Sequence, residues 1–242
     1  MRNFFFAVVI FSVCIAVTSL RGEAPASGIS VLIVGGGSSH DFNKWYKEAD
    51  SKILTEARNP AFTPSYTDKI DEAAKQIVAV DALLLPTNQL EFSAASIKAA
   101  MQARVEAGKG ILLLHAGTWY MYKDWPEYNR TYVGGGARSH DKPAEFEVTV
   151  TQPNHPLMKG VPAKFKVIDE LYHMIPDPQG AEIEVLATAT SPISGKTFPS
   201  VWIVKHPKAR IAAIAIGHDG RAHDLVAYQT MLKNATGWVA GK

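Results

Sequence analysis

The sequence predicts an α/β fold, a three-layer α/β/α sandwich in which a mostly parallel sheet lies between two layers of helices. Short continuous runs of β-branched residues or leucine alternate with helix-patterned segments four times in the first half of the chain. Parallel strands have this composition because helices cover both faces of their sheet. No internal repeat, linker or low-complexity stretch divides the 242 residues, which favours one α/β domain.

Residues 1–24 have the composition of a secretory signal peptide. A short basic start precedes the apolar run FFFAVVIFSVCIAVTSL, and polar and small residues follow it. The alternative is an uncleaved membrane anchor, although the run is near the lower length limit for crossing a bilayer. We therefore expect one exported domain, residues 25–242, in the periplasm or secreted, with no membrane contact after cleavage.

Charge and cysteine content argue against two classes of function. The formal net charge is +2 and the basic residues are scattered, so a nucleic-acid partner is not expected. Cys14, inside the apolar N-terminal run, is the only cysteine. The mature domain therefore has neither a disulfide nor a thiol nucleophile. The composition does not indicate an oligomeric state.

Hydrophobic periodicity predicts the elements of the first half. Short buried strands are predicted at residues 29–34, 62–67, 82–85 and 111–114. Helices are predicted at 43–57, 69–78 and 93–107. Asp68 and Ser93 are the predicted N-caps of the second and third helices, because both residue types accept hydrogen bonds from a helix N-terminus.

The second half has a different pattern. Segments 145–150, 164–172 and 182–188 alternate apolar and polar residues, as half-exposed strands do. The segments VWIVKH and RIAAIAIGHD predict a strand pair joined across Pro207-Lys208. A final helix is predicted from about residue 223 to residue 239.

Polar residues follow several predicted strands. His40 comes after the first strand, in the glycine-rich turn GGGSSHD, and Asn88 comes after the third. His115 ends the fourth strand, and His218 follows a later apolar strand. Ligands of parallel sheets bind at the carboxyl ends of the strands, so these side chains are expected to converge. A helix predicted to begin near Thr118 would keep His115 neutral and able to accept a proton, donate to a carbonyl or bind a metal.

The segment IDELYHM adds a carboxylate and a phenol. In a strand, Glu170 and Tyr172 share one face, while Asp169, Leu171 and His173 share the other. A carboxylate beside a tyrosine suits sugar hydroxyls or acid–base chemistry. We interpret Glu170 as functional and Asp169 as part of a solvated edge strand.

Further side chains near the predicted strand ends are candidates for substrate binding: Asp41, Trp119, Tyr120, His140 and Asp219. Aromatic faces such as those of Trp119 and Tyr120 stack on sugar rings. We interpret His155 as a structural turn residue, and His206 and His223 as surface residues.

The motifs HAGT, SH…EFEV…HPL, DELY and GHD…W follow one another between about residues 29 and 239. In this order they resemble the ThuA-like, trehalose-utilisation family, which is similar in fold to class I glutamine amidotransferases. The resemblance implies a flavodoxin-like, amidotransferase-like fold and a keto-sugar or 3-keto glycoside substrate. Amidotransferases carry Cys where this chain has His115, so glutaminase activity is not expected. The segment IAAIAIGHD departs from relatives, which often carry aromatic or hydroxyl residues before Gly-His.

The expected function is that of an exported sugar-catabolic enzyme that removes a proton next to a ketone, leading to elimination, isomerisation or glycoside cleavage. Catalysis is expected to involve His115, His218 and Glu170, with either histidine as the base and Glu170 protonating a leaving group or orienting a histidine. Substrate binding is expected to involve His40, Asp41, Asn88, Trp119, Tyr120, His140, Tyr172 and Asp219.

Two alternatives remain open at this point. One is a non-catalytic periplasmic carbohydrate-binding protein. The other is a metal-dependent hydrolase that uses His40, His115 and His218. The cofactor is not specified by the sequence, although a divalent metal is compatible with these residues.

Overall fold

The structure is a computed structural model that describes Met1 and residues 28–242; the predicted signal peptide beyond Met1 lies outside the described residues. Eleven strands are present in this part of the chain: β1 Ile29–Val34, β2 Phe62–Thr67, β3 Ala82–Leu85, β4 Ile111–Leu114, β5 Gly135–His140, β6 Ala144–Val150, β7 Lys164–Asp169, β8 Tyr172–Pro176, β9 Ile183–Thr190, β10 Thr197–Val204 and β11 Ile211–Ile214. Among the described helices, none combines the length and apolar character needed to cross a bilayer.

Nine of these strands form one sheet in the order β2-β1-β3-β4-β11-β10-β9-β6-β7. Neighbouring strands from β2 to β11 pair in parallel. From β11 to β7 every pairing is antiparallel. The prediction of a mostly parallel sheet is therefore wrong for half of the pairings, because the alternating strands of the second half return directly instead of crossing over through helices. The predicted strand pair across Pro207-Lys208 is confirmed as β10 and β11.

The helices of the described chain are α1 Ser51–Thr55, α2 Ile70–Gln76, α3 Ala95–Glu106, α4 Gly220–His223 and α5 Val226–Val239. Wide π-type turns occupy Asn43–Asp50, directly before α1, and Tyr128–Val133. Tight 3₁₀ turns occupy Leu90–Ser93, His115–Thr118 and Pro156–Met158. The predicted final helix is confirmed as α5, which begins at Val226 instead of near residue 223 because Leu225 adopts extended backbone.

Both predicted N-caps are wrong. The residue before α2 is Lys69, and no side chain caps that helix; Asp68 lies one residue earlier. The residue before α3 is Ala94, and no side chain caps that helix; Ser93 lies one residue earlier, and its hydroxyl donates to the carbonyl of Leu90 within the 3₁₀ turn. Both helices are packed against the sheet, which stabilises them without side-chain caps.

Helices cover both faces of the parallel half of the sheet. Leu84 packs in the same buried cluster as Met231 of α5, whereas Leu83 packs in the cluster that contains Met101 of α3. Adjacent strand residues point to opposite faces, so a run such as ALLL serves both layers at once. Full burial of each leucine contributes about 1.5–3 kcal/mol to folding.

A small two-stranded ribbon of β5 and β8 lies outside the main sheet. Its residue Ala137 pairs with Trp119, and the Ala137 carbonyl accepts a hydrogen bond from the Tyr120 backbone (2.8 Å). The ribbon thereby holds the segment that follows β4 against the carboxyl edge of the parallel strands.

Candidate active site

Three histidines and one carboxylate meet at the carboxyl edge of the parallel strands. His40 follows β1, His115 directly follows β4, and His218 follows β11. Glu170 follows β7, from the antiparallel half of the sheet. Each residue directs a nitrogen or carboxylate oxygen inward, and these four atoms all lie within 4.8 Å of one another. We call these four residues the histidine cluster.

The separations within the cluster are short. His40 Nε2 lies 3.0 Å from His115 Nε2 and 3.0 Å from His218 Nδ1. Glu170 Oε2 lies 3.2 Å from His218 Nδ1, 3.6 Å from His115 Nε2 and 3.8 Å from His40 Nε2. A single ring nitrogen carries at most one proton, so His40 Nε2 cannot donate to both neighbouring histidines. The four groups therefore crowd around one point.

His115 is buried, and its tautomer follows from its contacts. Its Nδ1–H donates to the carbonyl of Ala215 (2.7 Å), because a carbonyl only accepts. In the neutral ring, Nε2 therefore presents a lone pair to the cluster. The backbone has φ +38°, and the residue opens a 3₁₀ turn of four residues. The predicted α-helix near Thr118 is absent, so the helix-dipole argument for a neutral His115 is wrong; the Ala215 carbonyl selects the tautomer instead.

The glycine-rich turn after β1 holds His40 in place. The His40 Nδ1 atom lies 2.6 Å from Ser39 Oγ, and Asn88 Nδ2 donates to the same oxygen (2.7 Å). Gly37 has φ +129°, and a Cβ there would collide with the Asn88 side chain. The turn therefore needs glycine for close approach, and Asn88 reaches the cluster only through Ser39 and His40.

Asp169 is fully buried, which shows that its interpretation as a solvated edge residue is wrong. Its Oδ2 accepts from the Gly217 backbone N–H (2.7 Å), and its Oδ1 accepts from those of Glu170 (2.6 Å) and His218 (3.3 Å). Burial raises the Asp169 pKa, whereas His115 and these backbone hydrogen bonds oppose the rise. One carboxylate thus orients the backbone at two members of the cluster.

If the cluster holds a divalent cation, replacing Asp169 with Asn is expected to weaken binding of Zn²⁺ by about 10–100-fold, the usual effect of losing a group that orients metal ligands. The amide NH₂ would face backbone N–H donors and displace the turn at Gly217. Isothermal titration of metal-free protein measures this change. The matched control is Asp81→Asn, since Asp81 also accepts a backbone N–H, from Ser30 (2.8 Å), at the amino end of the sheet. Equal Zn²⁺ affinities in all three proteins would contradict the orienting role.

A second buried carboxylate supports the same turn from behind. The Gly217 carbonyl accepts from Tyr46 Oη–H (2.7 Å) and from His223 Nε2–H (3.1 Å). His223 Nδ1 lies 2.7 Å from Asp50 Oδ1, and Tyr228 donates to Asp50 Oδ2 (3.0 Å). The interpretation of His223 as a surface residue is therefore wrong, because it is buried against Asp50. His206, by contrast, accepts from backbone amides at the turn before β11.

Burial and neighbouring charges shift the pKa values of the cluster residues in different directions. Burial raises the pKa of Glu170, but the neighbouring imidazoles of His115, His218 and His40 outweigh burial and hold that pKa below the usual range of a carboxyl group. Burial, with His115 and His218 nearby, lowers the pKa of His40. The hydrogen bond to Glu170 raises the pKa of His218 against the effect of burial. The cluster thus combines an ionised carboxylate with three imidazole rings, and these residue types together suit a divalent cation.

Three further predicted residues lie beside the cluster. Tyr172 stacks on the His115 ring with 4.3 Å between centroids, and Trp119 packs edge-on against Tyr172 at 5.3 Å. His140 Nδ1 lies 3.6 Å from Glu170 Oε1. Glu170 and Tyr172 do reach the same site, although Glu170 lies in the bend between β7 and β8 and not within one strand.

The remaining predicted residues have other contacts. Asp41 is exposed, and its carboxylate accepts from the Lys44 backbone at the start of the following helical turns. Asp219 caps α4 and pairs with Arg221 (2.6 Å). Tyr120, which follows Trp119 in the chain, donates a hydrogen bond from its hydroxyl to Asp177 (3.1 Å). His155 caps the turn Pro156–Met158, as a structural residue would.

Sequence reasoning missed the residues that hold the cluster in position, namely Ser39, Asp50, Asp169 and His223. Only Asp169 carried a signal, since it precedes the singled-out Glu170 in DELY. Their partners are distant in the chain, so no local pattern reveals them.

Comparisons with known proteins identify the family and the fold of the chain. A model of the ThuA family, described as trehalose utilisation, matches residues 30–239. A ThuA-like protein from Parabacteroides merdae superposes with a TM-score of 0.74 at 21% identity, covering 89% of this chain and 91% of that one. A ThuA-like protein from Bacteroides uniformis gives a TM-score of 0.72 at 20% identity, covering 90% and 94%. None of the curated proteins matches the chain significantly.

The expected relationship to amidotransferases is also confirmed at the level of fold. The glutaminase domain of Trypanosoma brucei CTPS superposes with a TM-score of 0.54 at 11% identity, covering 88% of this chain and 94% of that domain. Three of the motifs that suggested the resemblance, HAGT, DELY and GHD, contribute His115, Glu170 and His218 to the histidine cluster, and the family match spans nearly all described residues. The chain therefore belongs to the ThuA, or trehalose-utilisation, family.

Proposed function

We propose that this protein is a divalent-metal-dependent enzyme of carbohydrate catabolism that cleaves 3-keto glycosides by proton abstraction next to the ketone. The observation that carries the proposal is the histidine cluster, in which three imidazole nitrogens and one carboxylate oxygen converge at the ligand-binding edge of the sheet. Membership of the trehalose-utilisation family supports a carbohydrate substrate.

The spacing of the cluster fits a metal ion. Metal–nitrogen bonds of about 2.0–2.1 Å in a tetrahedral site place neighbouring ligand atoms about 3.3–3.4 Å apart. The five short separations in the cluster range from 3.0 to 3.8 Å. Imidazole-rich sites with one carboxylate favour Zn²⁺ or another divalent first-row ion. The surrounding hydrogen bonds to Ala215 and Ser39 orient His115 and His40 as outer partners orient metal ligands.

This assignment changes the expected role of His115, one of the two histidines first considered as bases. His115 is fully buried, and its Nε2 faces His40 and Glu170. It is therefore placed to bind a metal and not to reach a substrate C–H group. We assign the base to His140, whose Nδ1–H donates to the Asp141 carbonyl (3.0 Å) and whose side chain is 35% exposed. The neutral ring then presents the Nε2 lone pair for accepting a proton.

The proposed reaction needs no oxidant or co-reactant. When bound, the ion supplies Lewis-acid polarisation of the C3 ketone, which acidifies the C2 proton. His140 accepts that proton, and the electron pair of the C2–H bond forms an enolate. The C1–O bond then breaks, its electrons pass to the leaving oxygen, and a C1–C2 double bond forms beside the restored ketone. The protonated His140 returns its proton to the leaving oxygen, so the products are an enone and an alcohol.

Proton exchange in deuterated solvent tests the proposal. Zn²⁺-loaded protein with methyl 3-keto-α-D-glucoside in D₂O is expected to lose the C2 proton signal and release methanol, as followed by NMR. His140→Asn is expected to slow both processes about 100-fold, the usual effect of losing a positioned base, while metal content stays unchanged. Binding of the keto glycoside with neither exchange nor cleavage would refute catalysis and favour the carbohydrate-binding alternative. A zinc-free protein with full activity would refute the metal role.

A further inference from the structure

A groove of about 780 Å³ opens beside the histidine cluster. Its inner end is formed by Asn88 and Trp119. Asn88 contacts Ser39, which contacts His40, and Trp119 packs on Tyr172, which stacks on His115. The groove therefore leads directly away from the cluster, in the position that a substituent of a substrate bound there would occupy.

The groove walls are mainly apolar and aromatic. Trp119, Tyr120 and Met121 line one side, and Leu90, which is 73% exposed, projects at the other. Single exposed apolar side chains are common on protein surfaces. In this groove, however, such side chains form one continuous recess together with aromatic rings. Such walls suit a flat, apolar group.

The charges around this recess are unbalanced. The guanidinium of Arg138 lies 3.7 Å over the Tyr120 ring, and Lys123 lines the same groove. The one carboxylate among its lining residues, Asp124, pairs with Lys98 outside the groove (3.0 Å). Within the described residues, no carboxylate lies in salt-bridge range of Arg138 or Lys123. The groove therefore presents two uncompensated cations beside aromatic faces.

We propose that this groove binds the leaving group of the substrate, and that this group is an aromatic ring bearing an anionic substituent such as a carboxylate. An aryl ring adds to the stack of Arg138 on Tyr120, and its anion pairs with the free guanidinium or ammonium. A second sugar ring fits less well, because its hydroxyls are neutral and would leave both cations unpaired. This inference rests on the proposed function, which identifies the sugar part of the substrate.

Binding of a simple probe tests the groove without requiring turnover. Metal-free protein is titrated with 4-hydroxybenzoate by calorimetry and by saturation-transfer NMR. Arg138→Gln and Trp119→Leu are each expected to weaken binding at least tenfold. Arg58→Gln is the matched control, because Arg58 is exposed near the amino end of the sheet, away from the cluster, and should leave the affinity unchanged. Trehalose and benzyl alcohol, which lack the anion, are expected to bind at least tenfold more weakly than 4-hydroxybenzoate.

The outcomes separate this inference from the proposed function. Probe binding that depends on Arg138, in a protein that never exchanges the C2 proton, supports the groove and refutes the enzyme. Turnover of methyl 3-keto-α-D-glucoside, with trehalose bound in the groove and 4-hydroxybenzoate excluded, overturns the inference and leaves the enzyme standing. If the enzyme and the groove are both confirmed, 4-carboxyphenyl 3-keto-β-D-glucoside should show a KM at least tenfold below the KM of methyl 3-keto-β-D-glucoside. Arg138→Gln should remove that advantage, whereas Arg58→Gln should keep it.

Discussion

Substitution of His115 by Asn is expected to lower turnover of a 3-keto glycoside by about 100-fold or more and to leave the fold intact. Groups that only orient metal ligands contribute 10–100-fold, so a direct ligand should contribute at least about the upper value. Asn suits the site for two structural reasons. It tolerates the positive φ of residue 115, and its NH₂ group can retain the hydrogen bond to the Ala215 carbonyl.

Zn²⁺ content, melting temperature and turnover measured on one preparation check this expectation. His206→Asn is the matched control, since His206 accepts backbone hydrogen bonds at a turn remote from the cluster and Asn can accept them as well. A His115→Asn protein that is destabilised but fully active would show that His115 is only a packing residue. The cluster would then lose its central member, and the proposed metal site would have to be abandoned.

Replacement of Asp50 by Ala is expected to destabilise the protein by about 3–5 kcal/mol, the usual effect of removing one partner from a buried charged pair. The change leaves His223 Nδ1 and the Tyr228 hydroxyl without their partner in a buried site. Asp50→Asn is the conservative comparison. Its amide can donate to a neutral His223 and accept from Tyr228, so its cost should be smaller. Denaturant unfolding measures both values, and a loss below about 1 kcal/mol for Asp50→Ala would contradict the pairing.

The same pair predicts a dependence of stability on pH. Burial alone lowers the pKa of His223, but the Asp50 carboxylate and the hydrogen bonds to Asp50 and Gly217 raise it above the ordinary histidine value. A raised pKa means that the folded state holds the proton more tightly than the unfolded state. The contribution of His223 is therefore complete below about pH 6.5 and is lost as the pH rises through the folded pKa. The buried tyrosines Tyr46 and Tyr228, whose pKa values burial raises well above 10, stay neutral there.

In Asp50→Asn the sign of this dependence should reverse. Without the carboxylate, burial makes a charged His223 unfavourable, so folding opposes protonation below about pH 6.5. The free-energy difference between wild type and Asp50→Asn is therefore expected to be larger at pH 6 than at pH 8.5. Unfolding curves at both pH values check it, and a constant difference would contradict a charged His223 in the native protein.

Several features were predictable from the sequence alone because they depend on short-range patterns. The four strands before His115 were predicted with the bounds that the structure shows. In β1, β3 and β4 burial on both faces favours apolar side chains throughout, so their runs are continuous and end where polar or small residues begin. The placement of His40, His115 and His218 at strand ends follows from the same boundaries, since parallel strands share one carboxyl edge.

The tertiary structure decided the features that depend on contacts between residues far apart in the sequence. Asp169 looked like an alternating edge residue, but it binds the backbone of Gly217, 48 residues away. His223 looked exposed at the start of a helix, yet its partner Asp50 is 173 residues away. Such hydrogen bonds leave no periodic signal, because burial of a polar group is set by where its partner lies in space. The sequence predicted that Glu170 acts together with His115 and His218, but only the folded chain shows that Glu170 comes from the antiparallel half of the sheet.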